Sequence, residues 1–399
     1  MDKHLDDYEF RSALRVWLLE HAPEGLEKVY DWNCSTAAGW RDEGRMRAAR
    51  HPLFREWEQL WLANRLVCAH WPEEYGGRGW SYRQRTILDQ ELHRQGWPRV
   101  DRGRGETLVG PTIIACGSHE QKTRFLPPII SGEHVYCQGF SEPGSGSDLA
   151  SLSLRGAVDG DDLVLNGQKV WTSGAAGANM VLLLCRTAAG ERKHDGITAV
   201  LVPMLQDNGV EVRPIRQITG ESEFAEVFFN DVRAPLGNVL GEIGGGWHVA
   251  MATLMVERDF NLPLIALTYR KEFADYLDAV RKNGKTEDPL VRQDIADALI
   301  HVTLVELLGR RIVDSGPDEV GRLVSATKLF WSQYHQAISG RTMDVYGPNA
   351  LVRPPNEIHD YTVTPWQYLF LYSRADTIYA GTSQVQRNII AERILGLPK

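Results

Sequence analysis

The sequence predicts an α+β protein in three parts, helical, then β, then helical. Three observations carry this. Apolar residues recur three or four apart through residues 1–132, short apolar runs separated by Gly, Asp and Pro fill residues 133–240, and helical spacing returns over residues 241–399. A chain of 399 residues exceeds one ordinary core, so two or three domains are expected, divided where the pattern changes.

The first part opens with YEFRSALRVWLLEHA, where Phe10, Leu14, Trp17 and Leu18 mark one helical face. WSYRQRTILDQELHRQG and SHEQKTRFLPPIISGE continue that style, and WPEEYGGRGWS reads as a Gly/Pro turn. The Arg-rich stretch RDEGRMRAAR (41–50) reads as a solvated helix face. In the second part LVLNGQKVW places Asn-Gly between two alternating runs, which predicts a hairpin turn there. VLLLCRT, GITAVLVPM, GVEVRPI and AEVFFNDV predict further strands. After GEIGGGW the helical segments are WHVAMATLMVERDF, QDIADALIHVTLVELLGRRIVD and VSATKLFWSQYHQAISGRTMDVYG. QVQRNIIAERILGLPK closes the chain, with Gly396 and Pro398 as its helix stop.

Composition excludes several function classes. Hydrophobic residues at 43%, charged residues at 24% and a net charge of −8 describe a soluble globular chain without the basic face of a nucleic-acid binder. Cysteines at 34, 68, 116, 137 and 185 are odd in number and form no CxxC, so reduced thiols are expected and neither a disulfide framework nor a metal site. The twelve histidines show no ligand spacing. MDKHLDDYEF is neither a signal nor a transit peptide, and the longest apolar run, MVLLLC (180–185), is too short to cross a bilayer. A cytoplasmic protein without membrane insertion is the expectation.

Two small-residue loops could hold a ligand. In IYAGTSQVQR, Ser383 and Gln386 have capping-box spacing, which gives either a plain capped helix or an anion site on free N–H groups. QGFSEPGSGSD (138–148) is either an ordinary turn or a concave run of N–H groups. No strand–GxGxxG–helix unit and no GxSxG elbow occur, so a Rossmann site and a serine-hydrolase nucleophile are not supported.

Taken together, WPEEYGGRGW, LPPIISGEHVYCQGFSEPGSGSDLAS, NGQKVWTSGAAGANMVLLLCRT and IYAGTSQVQRNIIAERILGLP resemble the acyl-CoA dehydrogenase family in order and spacing, over nearly the whole chain. The resemblance implies an N-terminal helical domain (1–132), a middle β-barrel or sandwich domain (133–240) and a C-terminal four-helix bundle (241–399). It implies FAD, with Gln138, Phe140, Ser141, Gly146 and Ser147 in the Gly/Ser loop, Trp171 and Ser173 beside the ring, and Thr382 and Gln384 at the diphosphate and adenine. Two motifs depart from the family pattern. Arg281 stands in VRKNGKTEDPLVRQ without the usual phenylalanine, and Asp344-Val-Tyr-Gly347-Pro348 replaces a Gln-x-x-Gly-Gly segment, which puts adenine contacts across a subunit interface in question.

Many family members carry a catalytic glutamate just before the Gly-Thr of the C-terminal turn, where this chain has Ala380. The isovaleryl- and long-chain-type members carry it instead in an L-x-x-E-R context, matched here by Leu254-Met-Val-Glu257-Arg258. Ala250, Leu254, Glu257 and Asn261 share one helical face, so Glu257 lies on or beside an apolar stripe that would raise its pKa. Asp259 is the other candidate carboxylate. The implied reaction is dehydrogenation of acyl-CoA to a trans-2-enoyl-CoA, with Glu257 as base, the Ala380 N–H on the thioester oxygen, Arg258 and Gly381 at the substrate, and hydride transfer to flavin N5. An electron-transfer flavoprotein would reoxidise the cofactor, and a homodimer or homotetramer is implied. Three alternatives stay open: a half-site subunit of a heterotetramer, a flavin oxidase or monooxygenase, and a dehydrogenase of carrier-protein thioesters.

Overall fold

The computed structural model describes residues 2–29, 51–259, 262–315, 317–352 and 363–398, without the side chains of 257–259, 262–264, 317 and 318. The Arg-rich stretch 41–50, Cys34 and Asn261 lie outside the described residues.

The first part is helical. Helix α1 (Asp7–His21) starts on Asp6, whose carboxylate accepts from the Tyr8 and Glu9 N–H groups, and it buries Phe10, Leu14 and Leu18. Helix α2 (Pro52–Ala63) buries Trp57 and Trp61. Helices α3 (Tyr82–Gln95) and α5 (His119–Ser131) both begin with capping boxes, Ser81 with Gln84 and Ser118 with Gln121, and both end on a left-handed glycine. Helix α4 (Gly110–Cys116) lies between them.

The β part runs β1 (Tyr136–Gly139), β2 (Arg155–Asp159), β3 (Asp162–Ser173), β4 (Met180–Arg186), β5 (Ile197–Pro203), β6 (Val210–Ile215), β7 (Phe224–Pro235) and β8 (Val239–Leu240). The sheet order is β6-β7-β3-β2-β4-β5-β8, with β1 beside β4. Both faces of β4 and β5 are covered. Leu182, Leu184, Ala199 and Leu201 join the tryptophan-rich core of the N-terminal helices, whereas Val181, Leu183, Val200 and Val202 join the sheet's own core. That double burial is why MVLLLC reads as an unbroken apolar run rather than an alternating one.

The predicted hairpin at Asn166-Gly167 is a correction. Residues 162–173 form one strand, and the register against β7 shifts between Leu165 and Gly167. Asn166 pairs instead with Asp231 on β7, donating to its carboxylate at 2.9 Å and accepting its N–H at 3.0 Å. Gly167 at φ +144° and Asp231 at φ +51° absorb the irregularity. Asn-Gly thus serves a bulge, while the tight turn falls at Gly160-Asp161, flanked by the paired Asp159 and Asp162.

The second helical part comprises α6 (Gly246–Asp259), α7 (Leu262–Lys282), α8 (Pro289–Asp314), α9 (Pro317–Tyr346), α10 (Pro365–Tyr372) and α11 (Ser383–Ile389). Helices α7, α8 and α9 share a core of Tyr276, Ala298, Val302, Val305, Tyr334 and Ile338. Helix α6 belongs elsewhere: Val249 and Ala250 are buried in the N-terminal core. Its first residue presses on the sheet. A Cβ at Gly246 would lie 2.4 Å from the Ala199 N and 2.5 Å from the Thr198 carbonyl carbon. Gly246→Ala is therefore expected to lower stability by about 3 kcal/mol, read as a shifted urea midpoint, because the clashing atoms are backbone and cannot rotate away. Among the described residues no helix is long and apolar enough to cross a membrane.

Candidate active site

The β side of the site is assembled where β1 leaves the sheet beside the end of β3. The Val170 N–H donates to the Ser141 carbonyl at 2.9 Å, so the Gly/Ser loop starts alongside Trp171. Beneath this junction Lys169 is fully buried. Its Nζ donates to the Phe140 carbonyl at 3.0 Å and to Glu142 Oε1 at 2.8 Å. Glu142 also accepts the N–H and hydroxyl of Ser153 at 2.7 and 2.8 Å and the Leu154 N–H at 2.9 Å. Burial alone would raise the Glu142 carboxyl; the Lys169 charge and these bonds outweigh it and hold the carboxyl below its ordinary value. One ion pair thereby fastens both ends of the 140–154 loop to the sheet.

Trp171 stands out from this frame. Leu163, Leu165 and Lys169 point inward, and strict alternation would bury Trp171 with them. A second register shift, between Lys169 and Thr172, turns the indole outward at φ +60°. It is 59% exposed while Thr172 is buried. A non-glycine residue at that φ carries about 1 kcal/mol of strain, and the outcome is a large apolar ring offered to a flat partner. The Thr172 hydroxyl is buried without a hydrogen-bond partner among the described residues. Gln138 and Ser173 are half-buried nearby, at the end of β1 and of β3, whereas Gly146 and Ser147 are exposed on the loop.

The second wall is the C-terminal turn. Ala380 and Gly381 take φ values of +49° and +87°. Their N–H groups meet no acceptor among the described residues. Their carbonyls are gripped from below: Gln386 Nε2 donates to Ala380 at 3.1 Å and more weakly to Gly381 at 3.5 Å. A Cβ at Gly381 would lie 2.5 Å from that nitrogen, so glycine is needed for both conformation and space. The expected capping box is displaced by one residue. Thr382, in extended geometry, is the N-cap and accepts the Val385 N–H, while Ser383 is already helical. The Gln386 amide is drawn to the turn carbonyls instead of back to an N–H. Gln384 is exposed.

Tyr372, at the end of α10, is within electrostatic reach of the β part: burial and then the charge of Glu223 raise its hydroxyl pKa. The backbone carbonyl of Glu223 accepts the Gly174 N–H at 2.9 Å, one residue beyond Ser173. Helix α6 is fixed beside the N-terminal helices by the Thr112 and Thr253 hydroxyls, 3.1 Å apart. Glu257 and Arg258 are on its last turn, and their side chains, with that of Asp259, lie outside the described residues. Arg281 is exposed at the end of α7 and its described partner is Asp278, 2.7 Å away. Asp344 and Gly347 are likewise exposed, at the end of α9 and just beyond it. These three do not join the cluster around Trp171 within a single chain. Among the described residues no His, Cys, Asp and Glu cluster could hold a metal ion.

Sequence reasoning missed Glu142 and Lys169. The available signal was a lysine at an inward position of an otherwise apolar strand, which demands a buried partner.

Known proteins show the same architecture. Models for the acyl-CoA dehydrogenase N-terminal, middle and C-terminal domains match residues 30–133, 137–232 and 244–395. The chain is 39% identical over 403 residues to acyl-CoA dehydrogenase IpdE1 of Mycobacterium tuberculosis, covering 99% of this chain and 98% of that one. Among solved structures, the Tcur3481-Tcur3483 steroid ACAD aligns with a TM-score of 0.78 at 29% identity over 100% of both chains. The ChsE4-ChsE5 complex from Mycobacterium tuberculosis aligns with a TM-score of 0.75 at 26% identity over 98% of both chains. With a helical–β–helical order, a Gly/Ser loop pinned beside an outward tryptophan, and all three domain models matched in sequence, this chain belongs to the acyl-CoA dehydrogenase family.

Proposed function

We propose that this chain carries out FAD-dependent α,β-dehydrogenation of an acyl-CoA thioester, with Glu257 as the base. The observation that carries the reading is the Ala380–Gly381 turn, whose two successive N–H groups have no described acceptor while their carbonyls are held from behind. Such donors suit an oxygen that gains charge as an enolate forms. Trp171, exposed and beside Ser141 and Ser173, fits one face of an isoalloxazine ring, and the open Gly146–Ser147 loop and Thr382 fit its diphosphate. FAD, when bound, supplies hydride acceptance at N5. The chain's own groups do the rest: the Ala380 N–H orients and polarises the thioester oxygen, Glu257 takes the α-proton, and Arg258 and Gly381 line the substrate. Electron-transfer flavoprotein is the proposed acceptor, and the cytoplasm the proposed location.

Anaerobic titration with a panel of acyl thioesters, both CoA and carrier-protein forms, tests this. Flavin absorbance near its long-wavelength band should bleach with at least one CoA ester. Bleaching by carrier-protein esters alone moves the substrate class, and rapid reoxidation by air with product bound moves the reading to an oxidase.

A second reading concerns assembly. Arg281, Asp344 and Gly347 are exposed in the single chain, which fits cofactor contacts made to a neighbouring subunit. Ala380 replaces the turn glutamate, and two solved relatives carry paired names, one of them called a complex. We propose that the neighbour is a homologous, non-identical chain in a heterotetramer. Purified alone, this chain should then hold well under one FAD per chain, and co-expression with a homologue should restore it. Full FAD occupancy in a homotetramer excludes the heteromeric reading.

A further inference from the structure

Beneath the Tyr379–Gly381 turn lies a group of charged side chains that the proposed chemistry does not use. Glu272 from α7, His335 from α9 and Asp376 from the segment after α10 are all 2% exposed or less. His335 Nδ1 lies 2.5 Å from Asp376 Oδ2, and its Nε2 lies 3.4 Å from Glu272 Oε2. The Tyr269 ring stacks on the imidazole with centroids 4.9 Å apart. Asp376 turns its other oxygen to Tyr379, whose hydroxyl donates at 2.7 Å. Lys328 Nζ donates to the Asp376 carbonyl, and Gln336 Nε2 donates to the Ser373 carbonyl at 2.9 Å and to Thr377 Oγ1 at 3.2 Å. The segment leading into the turn is therefore tied to α9 through three of its residues.

The next residue, Ala380, holds φ +49°, which an L residue adopts only where its surroundings impose it. Three buried charges are a poor source of net stability, because desolvation offsets their attraction. What they supply is direction, since charge-assisted bonds in a dry interior tolerate little displacement. Burial draws the His335 proton away, but Glu272 and then Asp376 outweigh it and push the ring up to about 10, so it is a cation at neutral pH.

We propose that His335, clamped between Glu272 and Asp376, is a positioning residue: it holds Asp376 against the Tyr379 hydroxyl and thereby aims the Ala380 N–H at the thioester oxygen. This rests on the function proposed above for that N–H.

Two variants test it, His335→Gln and Tyr379→Phe. The second removes one hydroxyl from a half-exposed ring, so it folds even if the first does not. Amide exchange across residues 377–383 is expected to rise about tenfold in each, with the strands and α8 keeping their protection. In turnover, kcat should fall about tenfold or more while KM changes less than about threefold, because the N–H acts most strongly as charge develops. Unchanged exchange over 377–383 in both variants overturns the proposal, as does loss of protection spread evenly through α7–α9. If the wild type bleaches with no thioester, the functional reading fails, while the exchange measurement still decides whether the clamp sets the turn.

The clamp also has a pH signature. The ionisable groups around the ring are Tyr269 and Glu272 of α7, Lys328 and Tyr334 of α9, and Asp376 and Tyr379 of the turn. A histidine raised on folding contributes stability that is complete below its unfolded pKa and is lost as pH climbs toward about 10. Lys328, lowered by burial to about 8, acts with the opposite sign above that pH. The window for His335 alone is thus roughly pH 6.5–8, where the folding equilibrium constant should fall by up to about tenfold per pH unit. His335→Gln should flatten that segment; a variant with the wild-type slope removes the charge from the account.

Discussion

Glu257→Gln is expected to bind FAD as the wild type does and to reduce it at least about a thousandfold more slowly with the best thioester, toward the upper end of what a positioned base contributes. A thioester α-proton is weakly acidic, and the turn that supplies the base in many relatives has Ala380 in this chain. Its N–H can stabilise developing charge, but nothing on the turn at that position can take a proton. Glu257 sits on the last turn of α6, a helix fixed by Ala250 in the core and by Thr253 against Thr112. Glutamine keeps size and hydrogen bonding and deletes only basicity. Anaerobic stopped-flow reduction, with FAD content measured beside it, reads the effect. Wild-type reduction by the variant removes Glu257 from its role, and a matching loss in Asp259→Asn instead transfers the role to that carboxylate.

Lys169→Met is expected to be the most destabilising single change in the β part, at about 3–5 kcal/mol, and to release the cofactor as well. Methionine keeps most of the lysine's unbranched stem but leaves Glu142 as a carboxylate without its cation in a dry site. The protein can relieve that charge only by protonating Glu142 or by moving the loop. Loop movement frees the Phe140 carbonyl and the Ser153 and Leu154 N–H groups together, and with them the place of Ser141 beside Trp171. Adding Glu142→Gln should recover part of the lost stability, because it removes the buried charge and its one amide oxygen still accepts a loop N–H, although its NH2 is left facing the other. Urea midpoints and retained FAD through gel filtration measure both effects. A single variant as stable as the wild type shows that the pair does not hold the loop.

How far the site could be read from the residues depended on the kind of signal. Phe10, Leu14 and Leu18 announced α1, because one buried stripe on a helix leaves a 3.6-residue period that needs no knowledge of its partner. MVLLLC was legible as a strand but not as a strand covered on both faces. Asn166-Gly167 misled, because the conformations that suit a hairpin turn also suit a bulge, and only the pairing of Asn166 with Asp231 distinguishes them. Ser383-x-x-Gln386 misled by one residue, because Thr382 could cap equally well and Gln386 found the carbonyls of a left-handed turn.

The sequence by itself determined the α+β order, the family, the two glycine-rich loops and the absence of a base at position 380. Local periodicity and motif spacing carry that information, since each is set by neighbours along the chain. Only the tertiary structure decided that Trp171 faces outward, that Lys169 anchors Glu142 and Phe140, and that Glu272, His335 and Asp376 meet beneath the turn. The physical reason is desolvation. A buried charge has no defined partner until the fold removes water from it, and the partner that then satisfies it comes from wherever the chain has been brought close.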